Sequence, residues 1–374
     1  MIQLTLVGAA VAALLGGCSS TGSHEPAELE KIDALVKTDR AWSESLGSSE
    51  TGLLTPALTQ TGIYAAGDDS LYRIDPKTGD TVWEVTTGAP VAAGVGSDGQ
   101  FVAVGTVKGE LEVYDSDGKF LWRARLTSEM SMPPLVGSGF VFARTTDTRV
   151  TAFNALTGER RWRHQSQVPS LTVRAPGQMV FSPAGVLVGQ GNGRLLALDA
   201  NGRTVFEAPV AQAKGITEVE RLVDVVGTPM VDGRMMCAAA FQGGILCMSS
   251  QNGKVLWRAP VDAVTGPVSD GSRVYVTTSR GEIKAFDYET GKPVWANSDL
   301  LWREPSSVAV VGDMLVAGDF EGEIHVFDPA SGKRIGRDSI SGAVRVPPIS
   351  MGDGALIQSE EGRLIWLRMQ KKGN

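Results

Sequence analysis

Cysteine and histidine are scarce in this 374-residue chain, with three of each, and the scarcity excludes much chemistry. Cys18, Cys237 and Cys247 include no adjacent pair. His24, His164 and His325 stand far apart, and none has metal-type spacing to a cysteine or to another histidine. No Ser-His-Asp arrangement, Gly-rich phosphate loop or paired-carboxylate motif stands out. Positive charge is also in deficit: 35 Lys and Arg against 42 Asp and Glu give a formal net charge of −7. That balance argues against a nucleic-acid partner. The apolar stretch at the front, Val7 to Gly17, is too short for a membrane span.

What the chain has in abundance is repetition. A glycine-led apolar strand runs into an Asp-x-x-Thr-Gly turn, and a tryptophan follows. The cleanest copies are Asp75-Pro-Lys-Thr-Gly79-Asp-Thr-Val-Trp83 and Asp287-Tyr-Glu-Thr-Gly291-Lys-Pro-Val-Trp295. Trp42, Trp122, Trp162 and Trp257 hold the same slot, and Phe206 and Gly336 hold it in weaker copies, so successive copies lie 38 to 51 residues apart. A period of about 40 residues with several short strands in each is the signature of a β-propeller. Eight prolines, Pro56, Pro90, Pro134, Pro176, Pro229, Pro267, Pro305 and Pro348, each precede a short inner-strand run, where a missing N–H is tolerated. The count predicts an all-β, eight-bladed propeller over residues 36–374. Its repeated tryptophans should pack between blades and find acceptors for their indole N–H groups. The strand Gly362–Arg368 has no following hairpin partner and the Trp42 segment has no preceding one. Together they are expected to complete one blade and close the ring, which removes the exposed edges. The series Asp75, Asp115, Asp199, Asp287 and Asp328 has a ligand-like look. Being periodic and tied to turns, it is read as structural.

Residues 1–17 read as a signal peptide. Leu15-Gly16-Gly17-Cys18 resembles a bacterial lipobox, which implies that Cys18 carries lipid; Ser19 after it implies transfer to the outer membrane. No Lys or Arg precedes the apolar run, a departure from the usual positive n-region. Residues 18–35 are expected to be the lipidated cysteine and a flexible tether. Within 27–38, Leu29, Ile32 and Val36 fit either one helical face or an extended run into the Trp42 strand. Cys237 and Cys247 flank the turn Phe241-Gln-Gly-Gly244, which places them opposite each other across a hairpin, either as a disulfide or as two buried thiols.

The connection from each aromatic slot to the next proline spans 7 to 14 residues, except for 23 from Phe206 to Pro229. Long loops on a rigid scaffold are where binding residues concentrate. The repeats resemble those of pyrroloquinoline-quinone dehydrogenases, which implies one alternative: a periplasmic quinoprotein-like enzyme or ligand-binding propeller. Those enzymes carry adjacent cysteines, a calcium site and usually long insertions. This chain has no adjacent cysteines, and its blades are near minimal length, so no cofactor and no catalysis are expected.

Over essentially its whole length the chain resembles the BamB family, lipoproteins of the outer-membrane β-barrel assembly machinery. The most specific segments are Thr217-Glu-Val-Glu-Arg-Leu-Val-Asp-Val, Pro169-Ser-Leu-Thr-Val-Arg174, and Ser298-Asp-Leu-Leu301 with Arg303. The resemblance implies a non-enzymatic scaffold that faces the periplasm and binds the POTRA region of the barrel-forming subunit BamA. It also implies help in delivering unfolded outer-membrane proteins. The family's contact patch pairs Leu-x-Leu-Arg with Asp-x-Asp. Here the first matches Leu171, Val173 and Arg174, and the second matches Asp224 with Val226 in place of its companion. Both stretches lie in outer-to-inner connections of adjacent blades. They are therefore expected on one face, with Arg221 and Asp224 paired three residues apart.

Overall fold

The computed structural model describes residues 24–48, 53–167, 171, 177–213, 216–217 and 222–373. Its strands form eight four-stranded antiparallel sheets. Blade 1 shows the pattern: Ala57–Leu58 innermost, then Ile63–Gly67, Ser70–Ile74, and Thr81–Thr86 outermost. Blades 2 to 7 repeat it over residues 91–125, 135–165, 179–209, 225–259, 268–297 and 309–339. Blade 8 takes Ile349–Met351, Gly354–Gln358 and Arg363–Lys371 from the end of the chain and Val36–Ser45 from its beginning. Antiparallel pairing runs from Val36 opposite Lys371 to Ser45 opposite Arg363. The expected closure is thus present.

Strand composition follows burial. The second strands are mostly apolar because blades cover both faces, as in Phe101–Thr106, where all six residues are buried. The outermost strands alternate, as Thr81–Thr86 does between exposed and half-buried residues. Core clusters lie between neighbouring blades: one joins Ala103, Leu111 and Val113 of blade 2 to Val141, Ala143 and Phe153 of blade 3.

The tryptophans lock these interfaces by one repeated contact. Each indole N–H donates to the carbonyl of the residue just after the turn's Asp or Asn in the next blade: Trp42 to Pro76, Trp83 to Ser116, Trp122 to Ala155, Trp162 to Ala200, Trp257 to Tyr288 and Trp295 to Pro329, all at 2.8 to 3.1 Å. Each ring also lies flat on the turn glycine. A Cβ at Gly202, for example, would fall 2.5 Å from the Trp162 ring, and its φ of 75° already favours glycine. Two junctions lack the lock. Phe206 leaves Gly253 with nothing within 4 Å, and Gly336 meets Val36 at the junction of blades 7 and 8. The turn aspartates are structural: Asp75 accepts the backbone N–H groups of Lys77 and Thr78, which hold its pKa below the usual carboxylate value.

Pro229 differs from the other strand-opening prolines. It sits inside Val225–Val231, where the register shifts between Val226 and Met230, so the bulge absorbs the missing donor. Cys237 and Cys247 face each other on paired strands, fully buried, and are joined by a disulfide. Residues 24–35 have no regular secondary structure, and the extended option is the one found. They differ from a free tether in being held by backbone bonds at Ala27 and Leu35 and by packing of Leu29 on the core of blades 6 and 7.

Candidate partner-binding face

Successive strands run in opposite directions, so the outer-to-inner connections and the turns between second and third strands share one face of the disc. Backbone bonds such as Leu126 N–H to the Gly109 carbonyl and Thr146 N–H to the Glu129 carbonyl tie them together there. The Asp-x-x-Thr-Gly turns occupy the opposite face.

Two connections that the sequence singles out meet on the first face. Gln178 N–H donates to the Gly227 carbonyl at 2.8 Å, Val225 N–H donates to the Gln190 carbonyl, and the Thr228 hydroxyl donates to Gln178 Oε1. The close approach needs glycine, since a Cβ on Gly177 would come within 2.8 Å of the Val225 carbonyl oxygen. The expected adjacency of the two connections therefore holds at their bases. Leu171 is exposed. Val173, Arg174, Arg221 and Cys18 lie outside the described residues.

Asp224 occupies a different setting from the one expected. It is 2 % exposed, so its carboxylate is buried and not part of the open surface. Its charge acts on Arg144, which reaches across from blade 3 and donates to the Gly177 carbonyl. Burial pushes the Arg144 guanidinium down to about 10, and the Asp224 carboxylate opposes that push, so the arginine remains a cation at neutral pH. Arg144 of blade 3 thus reaches Gly177, at the base of the connection into blade 4, under the charge of Asp224, at the base of the connection into blade 5; no local sequence spacing reveals this. Val226, where the family has its second aspartate, is buried in the core of blades 5 and 6 and borders the central channel. Ile216 is 96 % exposed in the longest connection.

The axial channel has a volume of about 1340 Å³ and is lined by valine and proline, including Val226, Val268, Val308 and Pro347, interspersed with serine and threonine such as Thr55, Ser131, Thr228 and Ser306. Arg345 stands at its mouth, paired with Glu304 at 2.7 Å and Glu360 at 3.1 Å. Among the described residues, no group of three or more His, Cys, Asp or Glu side chains could hold a metal ion.

The family model described as outer membrane protein assembly factor BamB matches residues 67–297. The assembly factor BamB of Bordetella pertussis is 37 % identical over 362 residues, covering 95 % of this chain and 94 % of that one. The chain belongs to the BamB family. The crystal structure of BamB from Moraxella catarrhalis superposes with a TM-score of 0.82 at 24 % identity, covering 89 % of this chain and all (100 %) of that one. The quinohemoprotein alcohol dehydrogenase of Comamonas testosteroni superposes with a TM-score of 0.70 at 15 % identity, covering 90 % of this chain and 78 % of that one. That second likeness is one of fold alone. It accounts for the dehydrogenase-like repeats, whereas the sequence relationship places the chain with the BamB assembly factors and not with the enzymes.

Proposed function

We propose that this BamB-family chain is a non-enzymatic scaffold lipoprotein of the outer-membrane β-barrel assembly machinery. Lipid on Cys18 holds it at the outer membrane, facing the periplasm. Its connection face binds the POTRA region of BamA, and through that subunit the rest of the complex, and assists the delivery of unfolded outer-membrane proteins. Leu171 and Val173 supply an apolar anchor, and Arg174 pairs with an acidic group or backbone carbonyl of the partner. Arg221 lies in the neighbouring connection, and Asp224 supports both from beneath.

The observation that carries this reading is the joining of two connections at Gln178 and Gly227 on a rigid ring, in a chain of this family. Capture of the tagged full-length protein from solubilised outer membrane tests it. A barrel-forming membrane protein should co-purify, and Cys18→Ser should move the chain to the soluble fraction. Calcium and quinone in the purified protein, with no barrel protein captured, would contradict the proposal.

A further inference from the structure

The segment 24–35 crosses the rim of blade 7 from one face of the disc to the other. At its downstream end, Leu35 N–H donates to the Ile335 carbonyl, and the Leu35 carbonyl accepts from Lys372 N–H. Both partners lie on the face of the Asp-x-x-Thr-Gly turns, at the start of Arg334–Ser339 and just past the end of Arg363–Lys371. At its upstream end, Ala27 N–H donates to the Leu301 carbonyl at 2.8 Å, in the connection from blade 6 to blade 7. That connection emerges on the opposite face, the one carrying the bases of the two candidate connections. Eight residues separate Ala27 from Leu35, enough at about 3.3 Å each to cross roughly 26 Å.

The upstream contact is a built receptor. The His24 ring stacks on the Trp302 indole at 3.9 Å and 8°, with the Arg280 guanidinium 5.8 Å from the same indole. Arg303, 4 % exposed in its side chain, donates to the Ala27 carbonyl at 3.2 Å. Its Nε is fixed by Asp319 at 2.7 Å, and another nitrogen by Glu321. Asp319 is fully buried and also contacts His325 at 3.1 Å. Trp302 and Glu304, on either side of Arg303, hold φ of 60° and 49°. Non-glycine residues keep such values only where the surroundings impose them. Strain, a buried ion cluster and aromatic stacking thus converge on one short stretch of backbone at Ala27.

We infer that residues 24–35 are a clasp that decides which face of the propeller is presented to the membrane. The inference rests on lipid attachment at Cys18 as proposed above. Cys18 precedes His24 by six residues, a reach of at most about 20 Å. With the clasp closed, the chain leaves on the connection face, and that face is held near the bilayer. A free tether from Cys18 to Leu35 would reach about 60 Å and impose no orientation.

Two measurements on the full-length lipidated protein test this. Hydrogen exchange should show the Ala27 amide slowed by about 100-fold against free chain. His24→Ala with Trp302→Ala should abolish that protection while sparing Leu35, which is held from the other side. Separately, fluorophores at Lys108→Cys and Lys119→Cys report opposite faces of blade 2 in vesicles carrying a headgroup quencher. The label at 108 should be quenched more strongly, and the double alanine variant should bring the two labels to parity. An unprotected Ala27 in the parent protein, or equal quenching of the two labels there, overturns the clasp. Should neither label be quenched because the chain does not join the bilayer, the Cys18 anchor and the orientation are both refuted. Protection at Ala27 still decides docking in that case.

Discussion

Asp224 carries a charge that works inward. A carboxylate in a stretch shared with the family contact patch invites the reading that it touches the partner, yet it is buried and acts on Arg144. Removing a buried carboxylate whose charge offsets a buried cation leaves that cation uncompensated, which typically costs about 3–5 kcal/mol. Asp224→Ala should therefore lower the thermal midpoint by about 4–7 °C, and adding Arg144→Met should recover much of the loss. A wild-type midpoint for Asp224→Ala would show instead that the aspartate serves only as a contact. His325 offers a second test at this scale. Burial lowers its pKa below the ordinary 6.5, against the opposing pull of the Asp319 carboxylate. The unfolded chain then binds more protons below pH 6.5, so this contribution is complete above about pH 6.5 and is lost as pH falls through that value. His325→Gln should flatten the fall in thermal midpoint between about pH 6.5 and 5. Equal slopes in parent and variant would contradict the assignment.

Strands and turns were legible because their determinants are local. The indole slot, the Asp or Asn and the glycine lie within a dozen residues, and each copy reads without the others. Phe206 and Gly336 were legible as weak copies, and they mark the two junctions that lack an indole lock. The surroundings of Asp224 and of the 24–35 segment are not legible in the sequence for one reason: their partners are remote in it. Arg144 lies 80 residues before Asp224, and the Leu301 and Arg303 that hold Ala27 lie more than 270 residues after it. Val226 seemed a lost acid in the motif, whereas its place in the core makes an apolar residue the fitting choice there. The closing blade yields the prediction for this scale. Deleting residues 364–374 removes Leu364, Ile365, Leu367 and Met369 from the core and leaves Val36–Ser45 without its partner strand. At about 1.5–3 kcal/mol for each buried side chain, the loss is at least about 6 kcal/mol. Calorimetry should show a midpoint lower by at least about 8 °C, or no cooperative transition. An unchanged midpoint would mean that the ring closes without this strand.

For the whole molecule, the ring supplies rigidity and the connections supply specificity. Six indole locks and a two-ended closing blade hold eight sheets in register, so the bases of the two adjoining connections, at Gln178 and Gly227, are held in a fixed relation. The backbone bond at Ala27 adds direction, because it holds the front of the described chain on the face that carries these bases. The central claim is that this face recognises the POTRA region of BamA through an apolar centre with an adjacent arginine. Truncating such a hot spot often costs about 2 kcal/mol or more per residue. Isothermal titration of the POTRA region into Leu171→Ala with Arg174→Ala tests it most directly. The account predicts affinity weakened at least about 100-fold, with the thermal midpoint of the propeller unchanged. Parent-like affinity in that double variant would contradict it.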